Sequence, residues 1–231
     1  MTKAIFVTGT GTDIGKTYIS GLLLKKMQEL NSKNAYYKAA MSGNLRNKDG
    51  SLLPGDAAFV KKCANLEQPL ETMCPYVYEA AVSPHLASRL EGNPVKFSVV
   101  KKHFAELCMT YDYIIMEGSG GICCPLDYDS TPLYLDNIIT KLHLTSILVA
   151  DAGLGTINNV VLTNYYMKAK GLPLAGIIFN NYHPGNTMEE DNIFMSQKLT
   201  GLPLIAKVEA NATDLDIESH ILEKLFQEVK L

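Results

Sequence analysis

Short runs of consecutive apolar residues alternate along this chain with longer stretches in which apolar residues recur every three or four positions. The short runs are "AIFVT" (4–8), "AYYK" (35–38), "YIIME" (113–117), "SILVA" (146–150), "AGIIFN" (175–180) and "PLIAKV" (203–208). Several are apolar at nearly every position, as in strands buried on both faces of a parallel sheet. The longer stretches predict helices over 15–30, 56–64, 83–91, 98–110, 156–170, 188–199 and 217–230. In 15–30, Ile19, Leu22, Leu23, Met27 and Leu30 form one apolar face. This alternation predicts an α/β fold: a doubly wound, mainly parallel sheet with helices on both faces and right-handed crossovers. No repeat, low-complexity tract or linker interrupts it, so residues 1–231 are expected to form a single domain. Irregular stretches at 39–55, 118–133 and 181–187 follow strands, where ligands of such sheets collect.

Composition narrows the function classes. The chain is 47% hydrophobic and 19% charged with a net charge of −3, which gives no basic footprint for nucleic acid or an anionic membrane. No apolar run approaches the ~20 residues of a bilayer span. The start, "MTKAIFVTG", leads straight into glycines and does not read as a signal peptide, so a cytoplasmic location is expected. The five cysteines, Cys63, Cys74, Cys108, Cys123 and Cys124, contain no C-x-x-C and read as packing residues in a reducing compartment. The histidines are scattered without metal-ligand spacing, and His85 after Pro84 reads as structural.

The chemistry concentrates in "TGTGTDIGKT" (8–17), set between the first strand and a helix. This is a phosphate loop, and the fold is therefore expected to be P-loop NTPase-like. Its backbone N–H groups and the helix N-terminus favour phosphate, Lys16 would reach the β- and γ-phosphates, and the Thr17 hydroxyl would ligate Mg²⁺. The spacing from Gly9 to Gly15 is one residue longer than G-x-x-x-x-G-K-[ST], because Thr10 occupies the usual first glycine position. Asp13, inside the loop, should meet ribose, metal-bound water or a basic neighbour rather than phosphate. In "YDYIIMEGSGG" (111–121), Glu117 closes an apolar strand. A carboxylate there is costly unless paired or metal-bound, which favours a metal ligand over a mere loop start.

Several segments in order resemble the ATP-dependent dethiobiotin synthetases of biotin synthesis, over residues 4 to about 208. They are "FVTGTGTDIGKT", "YYKAAMSG" (36–43), "GDAAF" (55–59), "AVSPHLAS" (81–88), "MEGSGG", "LGTINNVVLT" (154–163) and "GIIFNN" (176–181). Departures are Gly11 for a common Asp, Ala39 for the Pro after the lysine, and "AKVEANA" where the family often has an adenine-contacting I-P segment. The resemblance implies ATP- and Mg²⁺-dependent closure of a ureido ring on 7,8-diaminononanoate with CO2 or bicarbonate, through a carbamate and a carbamic-phosphoric anhydride. It implies that Lys38, Lys16, Thr12 and Ser42 serve the reacting groups. It places the nucleotide against Thr12, Asp13, Ile14, Gly15, Lys16, Thr17, Asp56, Glu117, Gly118, Ser119 and Gly120, with Asn180, Asn181 and Glu209 toward the base. Mg²⁺ would lie on Thr17, Asp56 and Glu117. The diamine's carboxylate would lie on Thr156, Ile157 and Asn158 from the other subunit of a homodimer.

The residues by themselves leave plainer roles open. Lys38 reads equally as a surface lysine, Ser42 as a turn residue before Gly43, Asp56 as a helix N-cap, Asn180 as the start of a loop, and 153–159 as a capped helix start. Two other activities use a similar loop and strand pattern. Amidotransferase-type cobyrinate synthetases normally add a glutaminase domain, for which 231 residues leave no room. Partitioning ATPases carry an early loop lysine where this chain has Gly11, and the amphipathic stretch 216–231 mixes both charge signs, as a packed terminal helix would.

Overall fold

In the computed structural model, which describes residues 1–129 and 131–230, all the predicted strands form. They are β1 (Lys3–Gly9), β2 (Asn34–Lys38), β3 (Tyr113–Glu117), β4 (Ser146–Asp151), β5 (Leu174–Tyr182) and β6 (Leu204–Glu209). They lie in the order β6-β5-β4-β1-β3-β2, and every neighbouring pair is parallel. The helices are α1 (Lys16–Met27), α2 (Gly55–Cys63), α3 (Pro84–Leu90), α4 (Phe97–Cys108), α5 (Leu135–Lys141), α6 (Thr156–Ala169), α7 (Thr187–Thr200) and α8 (Ser219–Glu223). Ser130, inside the predicted irregular stretch 118–133, and Leu231, at the end of the predicted domain, lie outside the described residues.

The unbroken apolar runs are explained by buried cores on both faces of the sheet. Successive side chains of a strand point to opposite faces. Thus Ala4 and Phe6 of β1 join Tyr37, Met116, Phe104 and Ile138 on one face, while Ile5 and Val7 join Tyr36, Ile115, Leu22 and Val60 on the other. Each fully buried Ile, Val or Phe contributes about 1.5–3 kcal/mol. The α1 face is wider than predicted. Ser20, Gly21 and Leu24 are buried beside Ile19, Leu22, Leu23 and Met27, while Leu30 is half-buried in a 3-10 turn at Gln28–Leu30. Gly21 permits this, since a Cβ there would stand 3.0 Å from the Cys63 sulfur of α2.

The predicted helix over 217–230 is a correction. Only α8 forms, and the chain then runs as β7 (Gln227–Glu228), antiparallel to Lys3 and Ala4. The reason is an open edge. β4 first pairs with β1 at Phe6, which leaves the start of β1 without a neighbour on that side. The terminal segment supplies one, and the Val229 N–H donates to the Thr2 carbonyl at 3.0 Å. Helix α5 had no counterpart among the predicted helices. The stretches read as irregular hold short pairs: Ala40–Met41 with Tyr76–Val77, Leu45–Arg46 with Leu52–Leu53, and Pro125–Asp127 with Leu133–Tyr134.

β5 and β6 approach closely at Gly176, where a Cβ would stand 2.6 Å from the Pro203 carbonyl oxygen. Backbone cannot yield as a flexible side chain does. Gly176→Ala is therefore expected to cost about 1–3 kcal/mol, read as a lower urea midpoint at unchanged m-value.

Candidate active site

Sheet register assembles the site before any side chain is considered. Val7 stands beside Glu117, and Glu117 stands beside Lys38, in one row across β1, β3 and β2. The glycine loop follows β1 directly, so phosphate loop, carboxylate and lysine emerge together at the carboxyl end of the sheet. The loop is shaped by left-handed backbone at Asp13 (φ 58°) and Gly15 (φ 91°), and it delivers Lys16 and Thr17 as the first residues of α1. A cavity of about 1010 Å³ opens over it. Of the predicted site residues, Thr12, Asp13, Gly15, Lys16, Thr17, Lys38, Ser42, Asp56, Glu117, Ser119 and Gly120 line this cavity.

At its floor lies a cluster of charges. The Lys38 ammonium is 2.6 Å from Glu117 Oε1 and 2.6 Å from Asp56 Oδ2. Thr17 Oγ1 donates to Glu117 Oε1 at 2.8 Å, and the Tyr36 hydroxyl donates to Glu117 Oε2 at 2.9 Å. The Glu117 side chain is fully buried, so each of these contacts offsets desolvation of its charge. Burial by itself would push the Lys38 ammonium down, but the charges of Glu117 and Asp56 outweigh it and hold the group well above the ordinary lysine value. Lys16 goes the other way: burial lowers it, and Lys38 nearby adds to the lowering. Its Nζ donates to the Gly11 carbonyl at 2.7 Å.

Asp56 sits in the first turn of α2, but the N-cap is Pro54 and no side-chain cap is made, so the N-cap reading of Asp56 is replaced by the lysine contact. Lys38 is likewise no surface lysine, being 6% exposed. Ser119 Oγ donates to the Ala40 carbonyl, which ties the glycine turn after β3 to the lysine segment. Gly118 donates its N–H to Val7 and packs on the Phe6 ring. Tyr36, Tyr18, Met41, Phe59, Cys124 and 81–84 had no assigned site role from the sequence, although Tyr36, Met41, Phe59 and 81–84 fall within the family-like segments, and all but Tyr36 line the cavity. Tyr36 was legible only as an apolar strand residue, because nothing in the sequence reveals what its hydroxyl meets.

The remaining predicted residues lie outside the cavity lining. The Ile14 side chain packs against the core, and its carbonyl accepts from Asn180 Nδ2 at 3.0 Å. Asn180 is 4% exposed and braces the back of the phosphate loop, and its Oδ1 has no partner among the described residues. Asn181 is exposed with φ 54° and donates to Asp151 at 2.7 Å. Glu209 ends β6 on the surface, paired in register with Tyr182. Thr156 is buried, while Ile157 is half-buried and Asn158 exposed at the start of α6, whose N-cap Gly155 offers no side-chain bond. Among the described residues no helix is long and apolar enough to cross a membrane.

Comparison with known proteins agrees with this geometry. A family model described as "AAA domain" matches residues 3–216. The ATP-dependent dethiobiotin synthetase BioD of Brachyspira hyodysenteriae is 44% identical over 98% of this chain and 100% of its own length. That of Clostridium kluyveri is 45% identical over 94% of this chain and 89% of its own. Among solved structures, a ParA family ATPase from Chlorobium tepidum superposes with a TM-score of 0.57 at 14% identity, covering 91% of this chain and 86% of that one. The MinC:MinD cell division complex of Aquifex aeolicus gives a TM-score of 0.55 at 13% identity, covering 90% and 81%. These two share the fold alone. Identity above 40% along nearly the whole length is a closer relation, and by it the chain belongs to the ATP-dependent dethiobiotin synthetase family.

Proposed function

We propose that this chain closes the ureido ring of dethiobiotin from 7,8-diaminononanoate and CO2 at the expense of ATP. The observation that supports it is one cavity in which a phosphate loop, two lysines and two carboxylates converge, in a chain of this family. The substrate amine and CO2 give a carbamate. The carbamate oxygen attacks the γ-phosphorus of ATP and ADP leaves. The second amine then attacks the carbonyl carbon of the mixed anhydride, phosphate departs, and the ring closes.

Each stage carries added negative charge, which fixed donors stabilise best in a site shielded from water. Lys16 and the loop N–H groups face the transferring phosphoryl group, and Lys38 faces the carbamate. Ser42 and Thr12, which line the same cavity, orient the reactants. Mg²⁺ fits Thr17, Asp56 and Glu117: these are hard oxygens, and a cation, the Lys38 ammonium, already lies between the two carboxylates. Among the described residues no three His, Cys, Asp or Glu side chains gather as a metal cluster, so water and phosphate oxygens would complete the shell. When bound, Mg²⁺ neutralises phosphate charge.

The reading extends to a homodimer. The N-terminus of α6 lies outside the cavity lining, so its role toward the diamine carboxylate belongs to a second copy. Leu154, Leu162 and Tyr165, exposed on and beside α6, give that copy an apolar surface. Asn180 and Asn181 stand at the end of β5 for the base, and Glu209 at the end of β6.

The direct test is phosphate release from MgATP. Release should require both 7,8-diaminononanoate and bicarbonate, with dethiobiotin formed one for one; steady release without the diamine would refute the reading. Lys16→Ala should lower kcat/KM by about 100-fold or more while leaving the thermal midpoint nearly unchanged, because the ammonium bonds only a loop carbonyl. Tyr36→Phe should cost about 1.5–3 kcal/mol of stability, since Glu117 Oε2 loses its donor, and should raise the Mg²⁺ concentration for half-maximal rate.

A further inference from the structure

Two lysines line the site, and protein oxygens hold both of them. Lys16 is bonded to the Gly11 carbonyl of its own loop. Lys38 lies 2.6 Å from an oxygen of each carboxylate proposed to hold the metal, and Thr17 bonds the same Glu117 oxygen at 2.8 Å. The ammonium therefore lies between the two carboxylates, on the same Glu117 oxygen that Thr17 bonds. It is sequestered there, on a side chain 7% exposed against a Glu117 side chain that is fully buried. A divalent cation seated on those oxygens competes with the ammonium for the same lone pairs, and the two like charges repel each other in a buried setting.

We propose that Lys38 is the counter-ion of the metal-ligand carboxylates and is displaced from them by an incoming metal–nucleotide complex. The exchange that seats the metal then frees the ammonium for the reacting groups. This rests on reading Thr17, Asp56 and Glu117 as the metal ligands. It gives Lys38 a role beyond contact with the carbamate: the ammonium pairs the carboxylates until the metal takes them, and becomes available only once MgATP is in place. The long, flexible lysine stem suits such a movement, and the cavity continues from this point toward Ser42 and Thr12.

The test measures binding rather than turnover. Mn²⁺ affinity without nucleotide, followed by electron paramagnetic resonance, is compared between the wild-type chain and Lys38→Met. Removing the competing ammonium should tighten Mn²⁺ binding at least tenfold, and Mn²⁺ should raise the thermal midpoint of the variant more than that of the wild type. Equal or weaker Mn²⁺ binding by a folded variant that still binds Mn²⁺–ADP would overturn the exchange and leave the proposed reaction standing. Because the variant leaves buried carboxylates unpaired, a second measurement uses the wild type alone. The Lys38 side-chain resonance, assigned in lysine-labelled protein, should shift on adding MgADP and much less on adding ADP with chelator. A resonance that does not move would refute the exchange without any variant. Failure of Mn²⁺ to bind either protein, even with ADP, would overturn the metal assignment and this inference with it.

Discussion

The ion cluster of Lys38, Glu117 and Asp56 is the constraint around which the site is arranged. A carboxylate as buried as Glu117 is tolerated only with compensation, and it has three partners from two elements: Thr17 from α1, and Tyr36 and Lys38 from β2. Breaking a buried pair by removing one partner typically costs about 3–5 kcal/mol, because the other charge is left alone. The groups proposed to serve the reaction are thus tied to stability. Substitutions at Lys38 or Glu117 act on folding as well as on chemistry, and the two effects separate only when binding and stability are measured beside rate.

The cluster depends in turn on strand order. β2 and β3 are distant in sequence but adjacent in space, with Lys38 directly beside Glu117, and β1 lies on the other flank of β3 with Val7 in register. A slip of one residue in either pairing would turn Lys38 or Glu117 to the opposite face of the sheet. The buried cores on both faces prevent it, since every side chain between residues 35 and 37 and between 114 and 116 is fully enclosed on its own face. Packing of the sheet and precision of the site are therefore one requirement.

The fold does not distinguish this chain from the ParA and MinD proteins that superpose on it. Function lies in what is placed on the scaffold. Here that is a strand-ending lysine, a carboxylate at the head of α2 and a cavity wall from 81–84, together with Gly11 at a loop position where partitioning ATPases carry a lysine. Ala39, where the family usually has proline, is 2% exposed and packs in the core beside Tyr76 and Tyr78, so packing takes over the restraint a proline ring would supply there.

The sequence by itself determined the strands, most of the helices and the phosphate loop, because these follow from local periodicity and from glycines at positions that need left-handed backbone. It also carried most of the cavity lining, through short segments whose chemistry is legible residue by residue. Tertiary structure decided the rest. The terminal segment became a strand because β1 offered an open edge, which no local pattern announces. Asp56 meets Lys38 instead of capping its helix, and Tyr36 meets Glu117, because the fold brings β2 and β3 onto them. Asn180 turned to the back of the phosphate loop for the same reason. A hydrogen bond between residues far apart in sequence leaves no mark on either neighbourhood, so the pairing of these groups exists only in the folded chain.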